Sequence, residues 1–263
     1  RDLQFFFLDS DKLDITNTGD VEAFFKENKI NYCINCAAYT NVDQAENEKE
    51  IAKRINEEGA KILAQACSKY KSELIQISTD YVFDGNQAKL YSETDPPNPL
   101  GIYGQTKLDG EIAVASVLDE HYIIRTSWLY SEYGSNFLKT MLKLSKVKNE
   151  ISVVCDQIGT PTNATDLATV VLKIVNDNRK AYGTYHFSNE GVASWYDFAK
   201  AIFKESNSNI EVVPIKSEEF PTLAERPAFS ILDKSKIKNE FNIQIPYWRD
   251  SLIRSIKAIN EGK

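Results

Sequence analysis

Tyr103 and Lys107 stand four positions apart in Tyr103-Gly-Gln-Thr-Lys107. In a helix that spacing places a phenol and an ammonium on one face. A phenol is a poor acid near neutrality, with a reference pKa of about 10. A lysine held close stabilises phenolate and makes proton exchange with a carbonyl oxygen feasible. The same ammonium can hold the ribose hydroxyls of a nicotinamide cofactor. Tyr-x-x-x-Lys is weak alone: both residues are common, and Glu111 lies four positions beyond Lys107, where an exposed ion pair would contribute little. The pattern gains weight from Ser78-Thr79-Asp80 upstream. A hydroxyl there can share the substrate carbonyl oxygen with Tyr103, where negative charge would develop.

These residues need a scaffold, and the chain reads as strands alternating with helices. Leu3-Gln-Phe-Phe-Phe-Leu8 has a buried-strand pattern. Thr16, Asn17 and Thr18 then cap a helix with stripe Val21, Phe24 and Phe25. Strand Tyr32–Cys36 precedes a long charged helical stretch ending on Ile62, Leu63, Ala66, Cys67 and Tyr70. Strand Leu74–Ile77, a helix around Tyr103–Leu118 and strand Tyr122–Arg125 follow. That alternation predicts an α/β fold with a doubly wound parallel sheet. Residues 1–150 read as a dinucleotide-binding domain and 151–263 mainly as a smaller substrate lobe. Part of 164–190 is expected to rejoin the sheet. The second half carries strand Ile151–Cys155, a helix with stripe Leu167, Val170, Val171, Ile174 and Val175, and strand Thr184–Phe187. Helix Trp195–Phe203, strand Glu211–Ile215 and a last helix near Trp248–Ile259 complete it.

Composition narrows the classes. The 263 residues are 42% hydrophobic with a net charge of −7, so no general basic surface invites nucleic acid. No apolar run approaches the roughly 20 residues of a membrane span, and a cytoplasmic protein is expected. His121 and His186 are far apart, and one C-x-x-C (Cys33, Cys36) has no second copy, so no metal site is read from the sequence. On a strand the two thiols would face opposite ways, which favours buried, inert cysteines.

Ligands of doubly wound sheets bind beyond the carboxyl ends of the strands. Asp9, Ala37–Thr40, Ser78–Tyr81 and Thr126–Trp128 hold those places. A dinucleotide site also needs a glycine-rich turn after the first strand, and its ribose-binding acid lies about 20 residues further on. If Asp9 is that acid, the first strand, its turn and its helix are expected to precede residue 1. The competing reading makes Asp9 a solvated acid at a strand end.

Four stretches carry a family resemblance: Ser78-Thr-Asp-Tyr-Val-Phe-Asp-Gly85, Glu93-Thr-Asp95, Tyr103-Gly-Gln-Thr-Lys-Leu-Asp-Gly-Glu111 and Arg125-Thr-Ser-Trp128. Together they resemble the extended short-chain dehydrogenase/reductases and, within them, the dTDP-4-dehydrorhamnose reductases. Asn35–Asp43, Asn136-Phe137, Asp156-Gln-Ile-Gly-Thr-Pro-Thr162 and Arg226-Pro227 are similar too. The likeness runs from Asp9 to about Asp233, and the glycine loop is its one departure. It implies that Tyr103 is the general acid, Lys107 its modulator and Thr79 the hydroxyl partner. Asp9, Asp14, Ile15, Ala38, Tyr39 and Thr40 would line NADPH or NADH with Tyr103 and Lys107. Thr79, Asp80, Trp128 and Arg226 would meet a nucleotide sugar. The plain readings are strand-end packing for Ala38 and Tyr39, a turn acid for Asp14, a core indole for Trp128 and an ion pair for Arg226. The implied reaction is hydride delivery to C4 of dTDP-4-dehydro-L-rhamnose. Another nucleotide-sugar epimerase or dehydratase, or a regulatory subunit like the beta subunit of methionine adenosyltransferase, is the alternative. A homodimer, and Mg2+ at its interface, is compatible with the resemblance but not read from these residues.

Overall fold

The computed structural model describes residues 3–177 and 179–262. Asn17 accepts hydrogen bonds from the amides of Gly19 and Asp20 and starts α1 (Thr18–Glu27), which buries Val21 and Phe25. β1 (Tyr32–Asn35) leads through α2 (Val42–Ala45) into α3 (Lys49–Lys53), a π-helical turn Arg54–Gly59 and α4 (Ala60–Tyr70). β2 (Glu73–Thr79), α5 (Ile102–Ala115) and β3 (His121–Thr126) follow. These three strands and β8 (Gly183–His186) form a parallel sheet in the order β1-β2-β3-β8. Thr79 sits opposite Thr126 at the carboxyl ends, and Arg125 opposite His186.

Neighbouring strand residues point to opposite faces, so Leu74 and Ile75 join different cores. Leu74 packs with Val21, Phe25, Leu63 and Val114 of α1, α4 and α5. Ile75 and Ile124 pack with Val170 and Ile174 of α7 (Ala164–Asn176), placing helices on both sides of the sheet. Between β3 and α7 lie β4 (Leu129–Tyr130), α6 (Phe137–Leu144), β5 (Glu150–Val154), β6 (Ile158–Gly159) and β7 (Thr162–Asn163). After β8 come β9 (Ala193–Ser194), α8 (Trp195–Glu205), β10 (Glu211–Ile215), α9 (Ser235–Phe241) and α10 (Trp248–Asn260). A separate core of Tyr130, Leu138, Val153, Phe198, Ile202, Val212, Trp248 and Leu252 gathers α6, α8 and α10 on the β5–β10 pair. The chain thus leaves the sheet after β3, returns with α7 and β8, and leaves again.

The structure departs from the sequence reading in three places. Leu3–Leu8 is not a strand: it runs exposed, Phe7 at 81%, with no ladder partner among the described residues, and a strand without a partner has nowhere to place its backbone hydrogen bonds. Cys36 lies beyond the end of β1 and the residue is exposed, while burial around its thiol still raises the thiol pKa, as an inert cysteine requires. Cys33 neighbours Cys67 of α4, and that contact first, then burial, holds the Cys67 thiol protonated. Helices α6 and α9, of eight and seven residues, were not legible because two turns carry too few apolar positions to set a period.

Candidate active site

The carboxyl ends of β2 and β3 and the first turns of α5 converge. Thr79 ends β2, and its hydroxyl caps the next turn by accepting from the Tyr81 amide at 3.2 Å. α5 begins where Glu46 accepts the Ile102 amide at 2.8 Å. Two glycines let it come so close. A Cβ on Gly104 would stand 2.2 Å from the Tyr81 carbonyl oxygen, and one on Gly110 would stand 2.1 Å from that of Asn56. Tyr103 is thereby laid edge-on against the Tyr81 ring, centroids 5.5 Å apart, beside the Thr79 hydroxyl.

Burial raises the Tyr103 pKa above the usual phenol value, and the Thr79 hydroxyl pulls against it. The expected help from Lys107 is not made here. Its Nζ donates to the Ile77 carbonyl at 2.7 Å, because a buried ammonium must find an acceptor and the end of β2 offers one. Burial brings Lys107 down to about 8, opposed by the Glu111 carboxylate. The exposed Lys107–Glu111 pair is not formed either. Glu111 is 4% exposed, takes the Ser78 hydroxyl at 2.5 Å and binds Arg125 through both oxygens, the shortest contact being 2.6 Å. Arg125 in turn covers the Phe83 ring and stands 3.5 Å from the His186 imidazole. Burial first, then Arg125, drives the His186 pKa down to about 3, so it is neutral. Glu111 and Arg125 are supports of the candidate site that residue reading missed. The signal available was the i+4 step from Lys107 to Glu111, which places Glu111 on the same buried face.

The loop after β1 is held from beneath. At the π-helical turn Asn56 faces inward, accepting the Tyr39 amide at 2.8 Å and donating to the Tyr39 carbonyl and the Thr106 hydroxyl. π-Turns often mark functional positions. Ala38, Tyr39 and Thr40 therefore sit in a fixed loop on the Lys107 side of the sheet. Tyr39 also donates its phenol to Glu48 at 2.7 Å. Asp9 is exposed and pairs with Lys12 at 3.4 Å, and Asp14 accepts the Thr16 amide and hydroxyl, as turn acids do. Ile15 packs beside Gly59 at the same π-turn. Thus Ile15 is tied to the Asn56 region, whereas Asp9 and Asp14 are engaged with their own turns.

Asp80 is 2% exposed, and burial raises its carboxyl to about 6. Trp128 adopts the left-handed conformation and stacks on Trp195 with centroids 3.7 Å apart. It is half-buried, part of an indole pair rather than of the continuous core. Arg226 pairs with Asp43 at 2.8 Å and faces the Tyr81 phenol. It joins α2 to the loop after β10. Among the described residues no cluster of His, Cys, Asp and Glu could hold a metal ion.

A doubly wound parallel sheet with Thr79 at a strand end, and Tyr103 and Lys107 on the helix beside it, is the arrangement of an extended short-chain dehydrogenase/reductase. The family model described as the RmlD substrate binding domain matches residues 1–261. The dTDP-4-dehydrorhamnose reductase of Aggregatibacter actinomycetemcomitans is 44% identical over 97% of this chain and 90% of its own length. The crystal structure of the Bacillus anthracis dTDP-4-dehydrorhamnose reductase in complex with NADP superposes with a TM-score of 0.92 at 43% identity, covering 95% of this chain and 88% of that one. A Streptomyces venezuelae dTDP-glucose 4,6-dehydratase, 16% identical over 94% of this chain and 78% of its own, shares the fold with a TM-score of 0.79. The chain belongs to the dTDP-4-dehydrorhamnose reductase family.

Proposed function

We propose that this protein reduces the C4 keto group of dTDP-4-dehydro-L-rhamnose to dTDP-L-rhamnose, with Tyr103 as the proton donor. It is an NAD(P)H-dependent oxidoreductase. NADPH or NADH supplies the hydride when bound. The residues present fit such a cofactor on one count that can be read directly: an ammonium has three protons, and Lys107 gives one to the Ile77 carbonyl. The others suit the paired hydroxyls of a ribose, with Ala38–Thr40 and Ile15 along the same side. Thr79 and Tyr103 hold the carbonyl oxygen between two hydroxyls, so the charge that builds there meets fixed donors. Tyr103 then gives its proton to that oxygen, and burial, by holding the phenol protonated, keeps that proton ready.

The observation that carries this reading is the meeting of Thr79, Tyr103 and Lys107 around the end of β2. Trp128 would offer an indole face to the sugar, and Arg226 a guanidinium to the nucleotide diphosphate. A cytoplasmic homodimer is the setting we propose. No helix among the described residues is long and apolar enough to cross a membrane. The test is to supply dTDP-4-dehydro-L-rhamnose and follow the absorbance of reduced cofactor. One NADPH or NADH consumed for each dTDP-L-rhamnose formed supports the reduction. Conversion of a nucleotide sugar with no net cofactor consumed would identify an epimerase or dehydratase instead.

A further inference from the structure

Trp128 follows β3 by two residues, and Thr126 at the end of that strand stands opposite Thr79. Its backbone is left-handed, at φ 48°, a conformation that a bulky side chain adopts only when its surroundings impose it. Residues 159–162 supply one restraint. The Ser127 hydroxyl donates to the Thr160 carbonyl at 2.8 Å, and the Thr162 amide donates to the Trp128 carbonyl at 3.1 Å. Gly159 leaves room for the ring, since a Cβ there would stand 2.7 Å from Trp128 Cε2. Trp195 supplies the other restraint, its indole within 10° of parallel to that of Trp128 and 3.7 Å away between centroids. Both come from one frame. β6, which carries Gly159, pairs with β9, and β9 ends on Ser194, directly before Trp195. Ser194 and Asp197 cap each other's amides to start α8 there. The core does not require an indole at that position. Phe198, Ala199, Ile202 and Phe203 lie on the buried face of α8, and Trp195 stays half-buried beside Phe137.

We propose that Trp195 is a positioning residue that holds the Trp128 indole ready for the sugar, which rests on Trp128 meeting the sugar of the proposed substrate. Trp195 acts through Trp128 and not on the substrate itself. An unrestrained side chain turns between rotamers within picoseconds to nanoseconds, and a sugar would have to stop that motion each time it bound. Stacking stops it beforehand. A stacked aromatic pair contributes up to about tenfold in an equilibrium constant beyond the area it buries. The restraint serves ground state and transition state alike, so it belongs in the KM for nucleotide sugar and not in kcat. The groups proposed to hold cofactor, Lys107 on Ile77 and Tyr39 on Asn56, are anchored elsewhere.

The test compares Trp195→Ala with Trp195→Phe, which keeps a ring to stack. Trp195→Ala should raise KM for dTDP-4-dehydro-L-rhamnose about tenfold, with kcat and the KM for NADPH near wild type. Trp195→Phe should restore most of that loss. Trp195→Leu keeps apolar bulk on Phe137 without a flat face and should match Trp195→Ala. A Leu variant with the wild-type KM would make the contact mere packing and overturn the proposal. Trp128→Ala alone should raise KM at least as much, and an unchanged KM there would overturn it as well. In the Trp128→Ala background Trp195→Ala should add nothing, and a further rise of about tenfold would show that Trp195 does not act through Trp128. A second measurement needs no turnover. Trp128 and the buried Trp248 are the indoles left in each Trp195 variant, and the anisotropy of their emission should decay faster in Trp195→Ala than in Trp195→Phe. Equal decays overturn the proposal whether or not the enzyme acts on nucleotide sugar. Faster decay in a protein inactive on dTDP-4-dehydro-L-rhamnose would support the hold on Trp128 and count against the reduction.

Discussion

In the proposed reaction Tyr103 is the residue on which the chemistry turns, and its surroundings specify what its loss should do. Burial keeps the phenol protonated, and Thr79 is the one hydroxyl opposing that shift. Replacing Tyr103 with Phe removes a single oxygen and leaves the ring against Tyr81. Turnover should therefore drop by at least about 10²-fold with little change in the binding of substrate or cofactor. Steady-state kinetics with NADPH would check it, and turnover near wild type would remove Tyr103 from the role of proton donor. Lys107 shows why residue type alone misleads. The spacing promises an ammonium beside a phenol, but the backbone carbonyl of Ile77 takes it.

At the scale of elements, α5 reaches the strand ends only because it is pinned to β2 and β3. The pin is Glu111, which binds Ser78 of β2 and Arg125 of β3 at once. Both members of the ion pair are nearly excluded from water, at 5% and 6% side-chain exposure. Burying that pair adds little net stability, but breaking it strands a charge. Arg125→Ala should lower the unfolding free energy by about 3–5 kcal/mol, read from urea denaturation at neutral pH. A loss below about 1 kcal/mol, the worth of an exposed pair, would mean that water reaches Glu111. The π-turn works in the same manner from the other side, placing Asn56 under Tyr39 and against α5.

Across the whole molecule, α2 and the loop after β10 meet through Asp43. Its two carboxylate oxygens take the Ala224 amide at 3.2 Å and the Arg226 guanidinium at 2.8 Å. Arg226 Nε is buried without a partner, so the guanidinium has capacity for a further acceptor. Should a diphosphate bind there, Arg226→Ala would raise KM for the nucleotide sugar about tenfold or more, since a charge-assisted hydrogen bond is worth about 1.5–3 kcal/mol. The KM for NADPH should stay put. Equal KM values in variant and wild type would leave Arg226 as a tie between lobes and nothing more.

The sequence by itself determined the alternation of strands and helices, the central strands β2 and β3, and the Thr79, Tyr103 and Lys107 set. The strands rest on apolar runs and the Tyr103–Lys107 pair on a four-residue step along one helical face, while Thr79 is singled out by the family resemblance. Tertiary structure decided the rest. Whether Glu111 pairs with Lys107 or Arg125 depends on which strand lies beneath α5, and Arg125 is fourteen residues away in the chain. Ser230 comes to face Asp80 only when the second lobe folds back over the sheet. The run Leu3–Leu8 carries the right residues for a strand, but a strand exists only where another supplies its hydrogen bonds. Local pattern gives the elements and the candidate reacting groups. Burial and counter-charge are set by whatever the folded chain brings alongside, and they decide which of those groups hold a proton.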